Sequence, residues 1–282
     1  MLNRNIETFI GCDKEYNEAN IVIFGAPFDS TTSYRPGARF ASKEMRSQSF
    51  GLETYSPYQD LDLCDIDVFD GGDLELSFGD TQKALTAIED YTQHILSDGK
   101  LPVMIGGEHL VTLGAVRAAY KKHPDLHIVH FDAHTDLRDE YLGVKLSHAS
   151  VMRRCYDLVG ENKIFQFGIR SGEKTEFDFA NEHAFIQKFN FNGLGRTMKA
   201  LRGMPVYFTI DLDVLDPSVL PGTGTPEAGG VSFMELVEAI REVCKLPIVG
   251  CDLNELAPIY DHSGASTATA CKVLRELLLA LL

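Results

Sequence analysis

The chain has 282 residues, 44% of them apolar, and sets 26 Lys and Arg against 41 Asp and Glu, a net charge of −15. A field of that sign disfavours nucleic acid and anionic membranes and mildly favours a cationic substrate, and the length suits a single domain over residues 1–282. The six cysteines (12, 64, 155, 244, 251 and 271) form no C-x-x-C pair, Met1 to Cys12 has neither a basic start nor an apolar run, and no stretch reaches the length of a membrane span, so a cytoplasmic protein with reduced thiols and no signal peptide is expected.

Short apolar runs alternate with helical patterns along the chain. Ile21 to Gly25 (IVIFG) reads as a strand stopped by Gly-Ala-Pro. Phe28 to Ser49 lacks a clear period and holds Arg35-Pro36-Gly37-Ala38-Arg39, with a short helix after it. Leu63 to Phe69 alternates with polar residues as an edge strand does. Thr81 to Leu96 has helical spacing, Pro102 to Ile105 is a buried strand ended by Gly106-Gly107, and Val111 to Tyr120 is a helix stopped near Pro124. His127 to Phe131 (HIVHF) is the next strand, and Leu137 to Ser147 is a polar loop of the length that often lines a site. Lys163 to Gly168, Val206 to Ile210 and Pro247 to Cys251 are further strands. Ser232 and Glu235 have capping-box spacing before an apolar helix, and Ala265 to Leu281 closes the chain as a helix. This alternation predicts an α/β fold, three layers α/β/α, around a mostly parallel sheet.

Six metal-ligand candidates stand in three clusters, each after an apolar run: His109; Asp132, His134 and Asp136; Asp211 and Asp213. Open parallel sheets bind ligands outside the carboxyl ends of their strands. Residues two apart in extended chain point the same way, so each cluster can converge. One Asp-x-Asp is common in solvated loops, and Asp132 or Asp211 alone would serve as a helix N-cap. Together they gather four carboxylates with no Lys or Arg inside the clusters, Arg138 being assigned to Asp139 or Glu140. Four carboxylates suit two divalent ions, and a carboxylate-rich set with a minority of imidazole favours Mn²⁺, with Fe²⁺, Co²⁺ and Zn²⁺ open. A paired-ion centre supplies hydroxide near neutral pH, which suits hydrolysis.

Gly106-Gly107-Glu108-His109, Asp132-Ala133-His134-Thr135-Asp136 and Asp211-Leu212-Asp213-Val214-Leu215-Asp216-Pro217 together resemble the ureohydrolases, the arginase and agmatinase family. The likeness runs from about Gly25 to the closing helix. It implies an arginase-like fold and two Mn²⁺ per chain: one held by His109, Asp136 and the bridging Asp132 and Asp211, the other by His134, Asp213 and the same bridges. It further implies that Glu255 binds the substrate guanidinium, a bidentate charge-assisted pair. His148 becomes the proton-transfer histidine, Asp136 the carrier of a proton to the leaving amine, and Thr225, in Gly222 to Glu227, part of the pocket wall. Trimers or hexamers follow from the same likeness.

Where arginases place an asparagine after His-Thr-Asp, this chain has Leu137-Arg138-Asp139-Glu140. Phe24 to Asp29, Arg35 to Arg39 and Ser147-His148-Ala149 look like the agmatinase branch. The expected reaction is therefore agmatine plus water to putrescine plus urea, a step of polyamine biosynthesis. Asp139 and Glu140 are candidate acceptors for the far ammonium, while Arg138 would suit a carboxylate, as in guanidinobutyrate or arginine. A non-catalytic metal-binding scaffold is the alternative of a different class. A histone-deacetylase type is disfavoured, since this chain lacks its His-His pair.

Overall fold

Seven of the apolar runs and one stretch that lacks such a run become the strands of one sheet in the computed structural model, which describes residues 7–282, so that part of the polar start at Met1 to Cys12 lies outside the described residues. The strands are β1 (Ile21–Gly25), β2 (Val68–Asp73), β3 (Leu101–Ile105), β4 (His127–Phe131), β5 (Ile164–Ile169), β6 (Phe185–Lys188), β7 (Val206–Asp211) and β8 (Ile248–Asn254). Their order is β2-β1-β3-β8-β7-β4-β5-β6, and every neighbouring pair is parallel. Parallel strands need crossover connections, and helices supply them.

The helices are α1 (Ala41–Ser49), α2 (Thr81–Ser97), α3 (Thr112–Lys122), α4 (Val151–Val159), α5 (Lys174–His183), α6 (Leu194–Ala200), α7 (Phe233–Val243) and α8 (Ala265–Ala280). Helices α2, α3 and α4 pack in a row over one face of the sheet, and α1, α8, α7 and α6 over the other. The strands serve both layers by alternation: Val22 and Phe24 face the first core, Ile21 and Ile23 the second. That two-sided burial is why these strands read as continuous apolar runs.

The second strand begins later than expected. Leu63–Asp65 is a single 3₁₀ turn, with the Asp62 side chain accepting from the Cys64 amide. The strand starts at Val68, where pairing with Ile21 of β1 begins, and lies at the sheet edge as its polar alternation indicated. At the opposite edge β6 (FIQK) is only partly buried and so carries no apolar run, which left it and the flanking α5 and α6 unread. Ser232 caps α7 as expected: Ser232 Oγ accepts from the Glu235 amide at 3.3 Å, and Glu235 Oε2 accepts from the Ser232 amide at 2.8 Å.

The chain leaves β3 and returns as β4 across a gap that β8 and β7 later fill, so β3, β8, β7 and β4 lie side by side at the centre. Their carboxyl ends form the crevice in which open α/β sheets place ligands. Gly107, just beyond β3, sits against the chain leaving β1: the Glu108 amide donates to Phe28 O at 2.7 Å. A Cβ on Gly107 would lie 1.9 Å from that same oxygen. Gly107→Ala must push backbone aside, and we expect it to lower stability by about 1–3 kcal/mol in chemical denaturation, the usual cost of overpacking.

Candidate metal centre

Each ligand candidate is delivered by the end of a central strand. His109 opens a 3₁₀ turn after β3, Asp132 follows β4 directly, β7 ends on Asp211, and Glu255 follows β8. Register places Asn254 beside Asp211 and Phe131 beside Ile210, which aligns the strand ends. His109 Nδ1 lies 3.0 Å from Asp132 Oδ2, 3.3 Å from Asp136 Oδ2 and 3.3 Å from Asp211 Oδ2. His134 Nδ1 lies 3.0 Å from Asp213 Oδ2 and 3.4 Å from Asp132 Oδ1. The two oxygens of Asp132 thus face different imidazoles, which is the position a bridge requires. Asp136 reaches the group from a left-handed backbone (φ 51°), a conformation that aspartate tolerates better than most residues.

The cluster fits a pair of divalent cations. Burial and the neighbouring Asp213 and Asp132 push the Asp211 carboxyl well above its ordinary range. Burial and Asp132 push Asp136 up to about 7. The polypeptide alone therefore cannot keep all four carboxylates ionised. His109 Nδ1 is buried yet has no hydrogen-bond partner among the described residues. Ligand atoms about 3 Å apart are what bonds of about 2.1 Å at right angles produce. The ligand atoms of Asp132, His134 and Asp213 all lie within 4.8 Å of one another, as do those of His109, His130 and Asp132.

Beneath these ligands runs a polar row that sequence reasoning missed. Gln166, His130, Thr209 and Asp252 are successive partners across β5, β4, β7 and β8, and all four are buried. Tyr207 Oη, Thr209 Oγ1 and Asn254 Nδ2 donate to Asp252 at 2.7, 2.6 and 2.7 Å. With its proton given to Asp252, Thr209 Oγ1 accepts from His109 Nε2 at 2.8 Å. That bond leaves His109 Nδ1 bare and turned toward the carboxylates, the arrangement metal-ligating histidines adopt. Gln166 Nε2 donates to His130 Nδ1 at 3.0 Å, and His130 Nε2 donates to Asp132 Oδ2 at 2.7 Å. One signal was available: His130 and Thr209 interrupt apolar strands two residues before Asp132 and Asp211, hence on the same side.

A cavity of about 250 Å³ opens over the centre, and its wall includes His134, Asp136, Asp211, Glu255, His148 and Thr225. Glu255 is held in the left-handed region (φ 64°), with its amide on Gly107 O at 2.9 Å and its Oε1 accepting from the His109 amide at 2.7 Å. Burial and the nearby Glu108 push its carboxyl well above the usual range, so the site favours an incoming cation. The His148 amide donates to Thr31 Oγ1 at 3.0 Å, and its Nε2 lies 3.3 Å from Ser33 Oγ. Burial and the charges of His134 and His109 bring the His148 imidazole down to about 4, so at pH 7 it is neutral. Thr225 Oγ1 lies 3.4 Å from Asp213 Oδ2.

Asp139 and Glu140 stand elsewhere. They line an adjoining hollow rather than this wall, and Asp139 accepts from Arg154 at 2.8 Å. Arg138 pairs with neither of them. It meets Glu173 at 2.8 Å and Glu176 at 3.4 Å and lies 4.6 Å over the Tyr141 ring. The cause is local: the Leu137 amide donates to Glu176 Oε1 at 3.0 Å, which pins the loop against α5 and sets Arg138 beside the acidic start of that helix.

The model of the Arginase family matches residues 19–280. The agmatinase of Bacillus subtilis (strain 168) is 48% identical over 277 residues, 97% of this chain and 96% of that protein. The agmatinase of Bacillus anthracis is 47% identical over 277 residues, again 97% and 96% of the two chains. The crystal structure of the agmatine ureohydrolase of Thermoplasma volcanium superimposes with a TM-score of 0.88 at 35% identity, covering 99% of this chain and 95% of that one. With the family match over residues 19–280 and six candidate ligands gathered at three strand ends, the chain belongs to the arginase family and is a ureohydrolase. Within that family it falls in the agmatinase branch. Among the described residues no helix is long and apolar enough to cross a membrane.

Proposed function

We propose that this protein hydrolyses agmatine to putrescine and urea at a centre of two Mn²⁺ ions. The observation that carries the reading is the buried Glu255 carboxylate on the same cavity wall as the ligand cluster, pushed toward neutrality until a cation arrives. His109 and Asp136 would hold one ion and His134 and Asp213 the other, with Asp132 and Asp211 available to both. Two such ions lower the pKa of water enough to give a nucleophile near neutral pH.

The protein's own groups do the rest. Glu255 pairs with the guanidinium and presents its carbon to the ligand cluster, which removes much of the entropic part of the barrier. Thr225 closes the wall beside Asp213. The leaving amine needs a proton, which the Asp136 carboxylate would take from the attacking water and hand on, and His148 exchanges protons with the solvent at Nε2. At the far end Arg138 is engaged by Glu173 and Glu176, so one cation faces two carboxylates and the wall is net acidic. That suits an ammonium better than a carboxylate. Since Asp139 and Glu140 stand outside the wall, Glu173, which lines it, becomes the acceptor in their place.

Residence in the cytoplasm, a place in polyamine biosynthesis, one domain over the whole chain and a homo-oligomer (trimer or hexamer) complete the reading. The cysteines agree with a reducing compartment: Cys12, Cys155, Cys251 and Cys271 are buried and free. The test is urea release from agmatine, arginine and guanidinobutyrate with Mn²⁺. We expect agmatine to be preferred at least about tenfold, activity to vanish on chelation, and Mn²⁺ to restore it. Faster turnover of guanidinobutyrate would reverse the far-end reading. No urea from any of the three, with two ions bound, would make the protein a metal-binding scaffold.

A further inference from the structure

Glu108 is fully buried, and the proposed chemistry gives it no task. Its polar partners come from one loop, the segment between β1 and α1. The Thr31 amide donates to Glu108 Oε2 at 2.8 Å, Thr32 Oγ1 donates to the same oxygen at 3.1 Å, and Thr31 Oγ1 donates to Oε1. The loop is closed on itself at its far side, where Asp29 accepts from the Gly37 amide at 2.8 Å and pairs with Arg39. A carboxylate only accepts hydrogen bonds, so a buried one must be met by donors on every side. Here it orders a segment that has no regular structure between residues 26 and 37.

Two members of that segment go on to His148. Because Thr31 Oγ1 gives its proton to Glu108, its lone pairs are free, and it accepts the His148 amide at 3.0 Å. Two residues further on, Ser33 Oγ lies 3.3 Å from His148 Nε2, and both side chains line the cavity. His148 stands in the short turn ahead of α4. Its main chain and its ring are thus both referred to one loop, and that loop to Glu108.

We propose that Glu108 positions His148 for proton transfer, acting through the hydroxyls of Thr31 and Ser33 rather than through the ion ligand that follows it in the chain. The proposal rests on the reading of His148 as the proton carrier. A glutamine at 108 would turn an NH₂ group toward hydroxyl and amide hydrogens, so at least one of the three bonds is lost or reversed. The Thr31 hydroxyl is then drawn away from the role in which it accepts the His148 amide.

The test uses full-length, Mn²⁺-loaded protein with agmatine, and calorimetric Mn²⁺ titration as a second readout. His148→Ala should lower kcat about a hundredfold, as loss of a proton carrier does. Glu108→Gln and Thr31→Val should each lower kcat about tenfold, with KM within about twofold and Mn²⁺ affinity unchanged. In the His148→Ala background neither should lower kcat further, because groups that act as a unit are non-additive. Ser33→Ala should behave as Thr31→Val does, and these two variants keep the test open should Glu108→Gln fail to fold. Losses that multiply in the double mutants would overturn the proposal while leaving His148 as the carrier. Weakened Mn²⁺ binding in Glu108→Gln with Thr31→Val silent would also overturn it, by showing that Glu108 serves His109. An undiminished kcat in His148→Ala alone would remove the underlying reading, and the proposal with it.

Discussion

Asp132→Asn should give a protein that binds fewer than two Mn²⁺ per chain and releases urea on the order of 10³-fold more slowly. The expectation follows from where the two carboxylate oxygens point. Oδ2 faces His109 Nδ1 and accepts from His130 Nε2, while Oδ1 faces His134 Nδ1 and accepts from the His134 amide. Asparagine keeps the shape and loses the charge, and its NH₂ group must face either a cation or the His130 N–H. Lewis-acid stabilisation is a matter of several kcal/mol, and at about 1.4 kcal/mol per decade its loss accounts for the size of the effect. Elemental analysis with a urea assay checks both parts. Two ions and a rate within tenfold of the parent would show that Asp132 is not the bridge.

Glu255→Gln should act differently, keeping both ions and losing the substrate. The amide oxygen can still accept from the His109 amide, so the ligand loop after β3 should hold. The charge that draws the guanidinium into a buried wall is gone, and breaking such a pair costs about 2–5 kcal/mol. That corresponds to roughly 30- to 4,000-fold in kcat/KM for agmatine, with Mn²⁺ content unchanged. The same substitution relieves a strain in the substrate-free protein, where burial and the nearby Glu108 each raise the cost of ionising Glu255. A kcat/KM equal to the parent would mean that the guanidinium is held elsewhere. Loss of metal would mean that Glu255 chiefly supports His109.

The candidate metal ligands were legible as a cluster because the fold announces them locally. Each follows an apolar run, and Asp132, His134 and Asp136, like Asp211 and Asp213, repeat at the two-residue spacing that puts side chains on one side. Glu255 and His148 stood out only by resemblance, since a lone loop carboxylate and a lone histidine carry little signal. The polar row beneath the ligands was not legible in the same way. Gln166, His130, Thr209 and Asp252 are spread over four strands, and only strand order and register make them neighbours. Arg138 shows the opposite failure, for its nearest acids in sequence, Asp139 and Glu140, are not its partners in space.

Sequence alone determined that this chain would alternate strands with helices, bury a mostly parallel sheet and gather six carboxylate and imidazole groups, candidate ligands, at strand ends. Those properties rest on local periodicity and on residue type, which each segment carries by itself. Tertiary structure decided which oxygen of Asp132 faces which imidazole, which nitrogen of His109 is bare, and that Glu108 reaches His148 through Thr31. It also took Asp139 and Glu140 away from the cavity. These outcomes depend on contacts between segments as far apart as Thr31 and His148, and loop closure over such separations is a property of the whole packed core, not of any stretch within it.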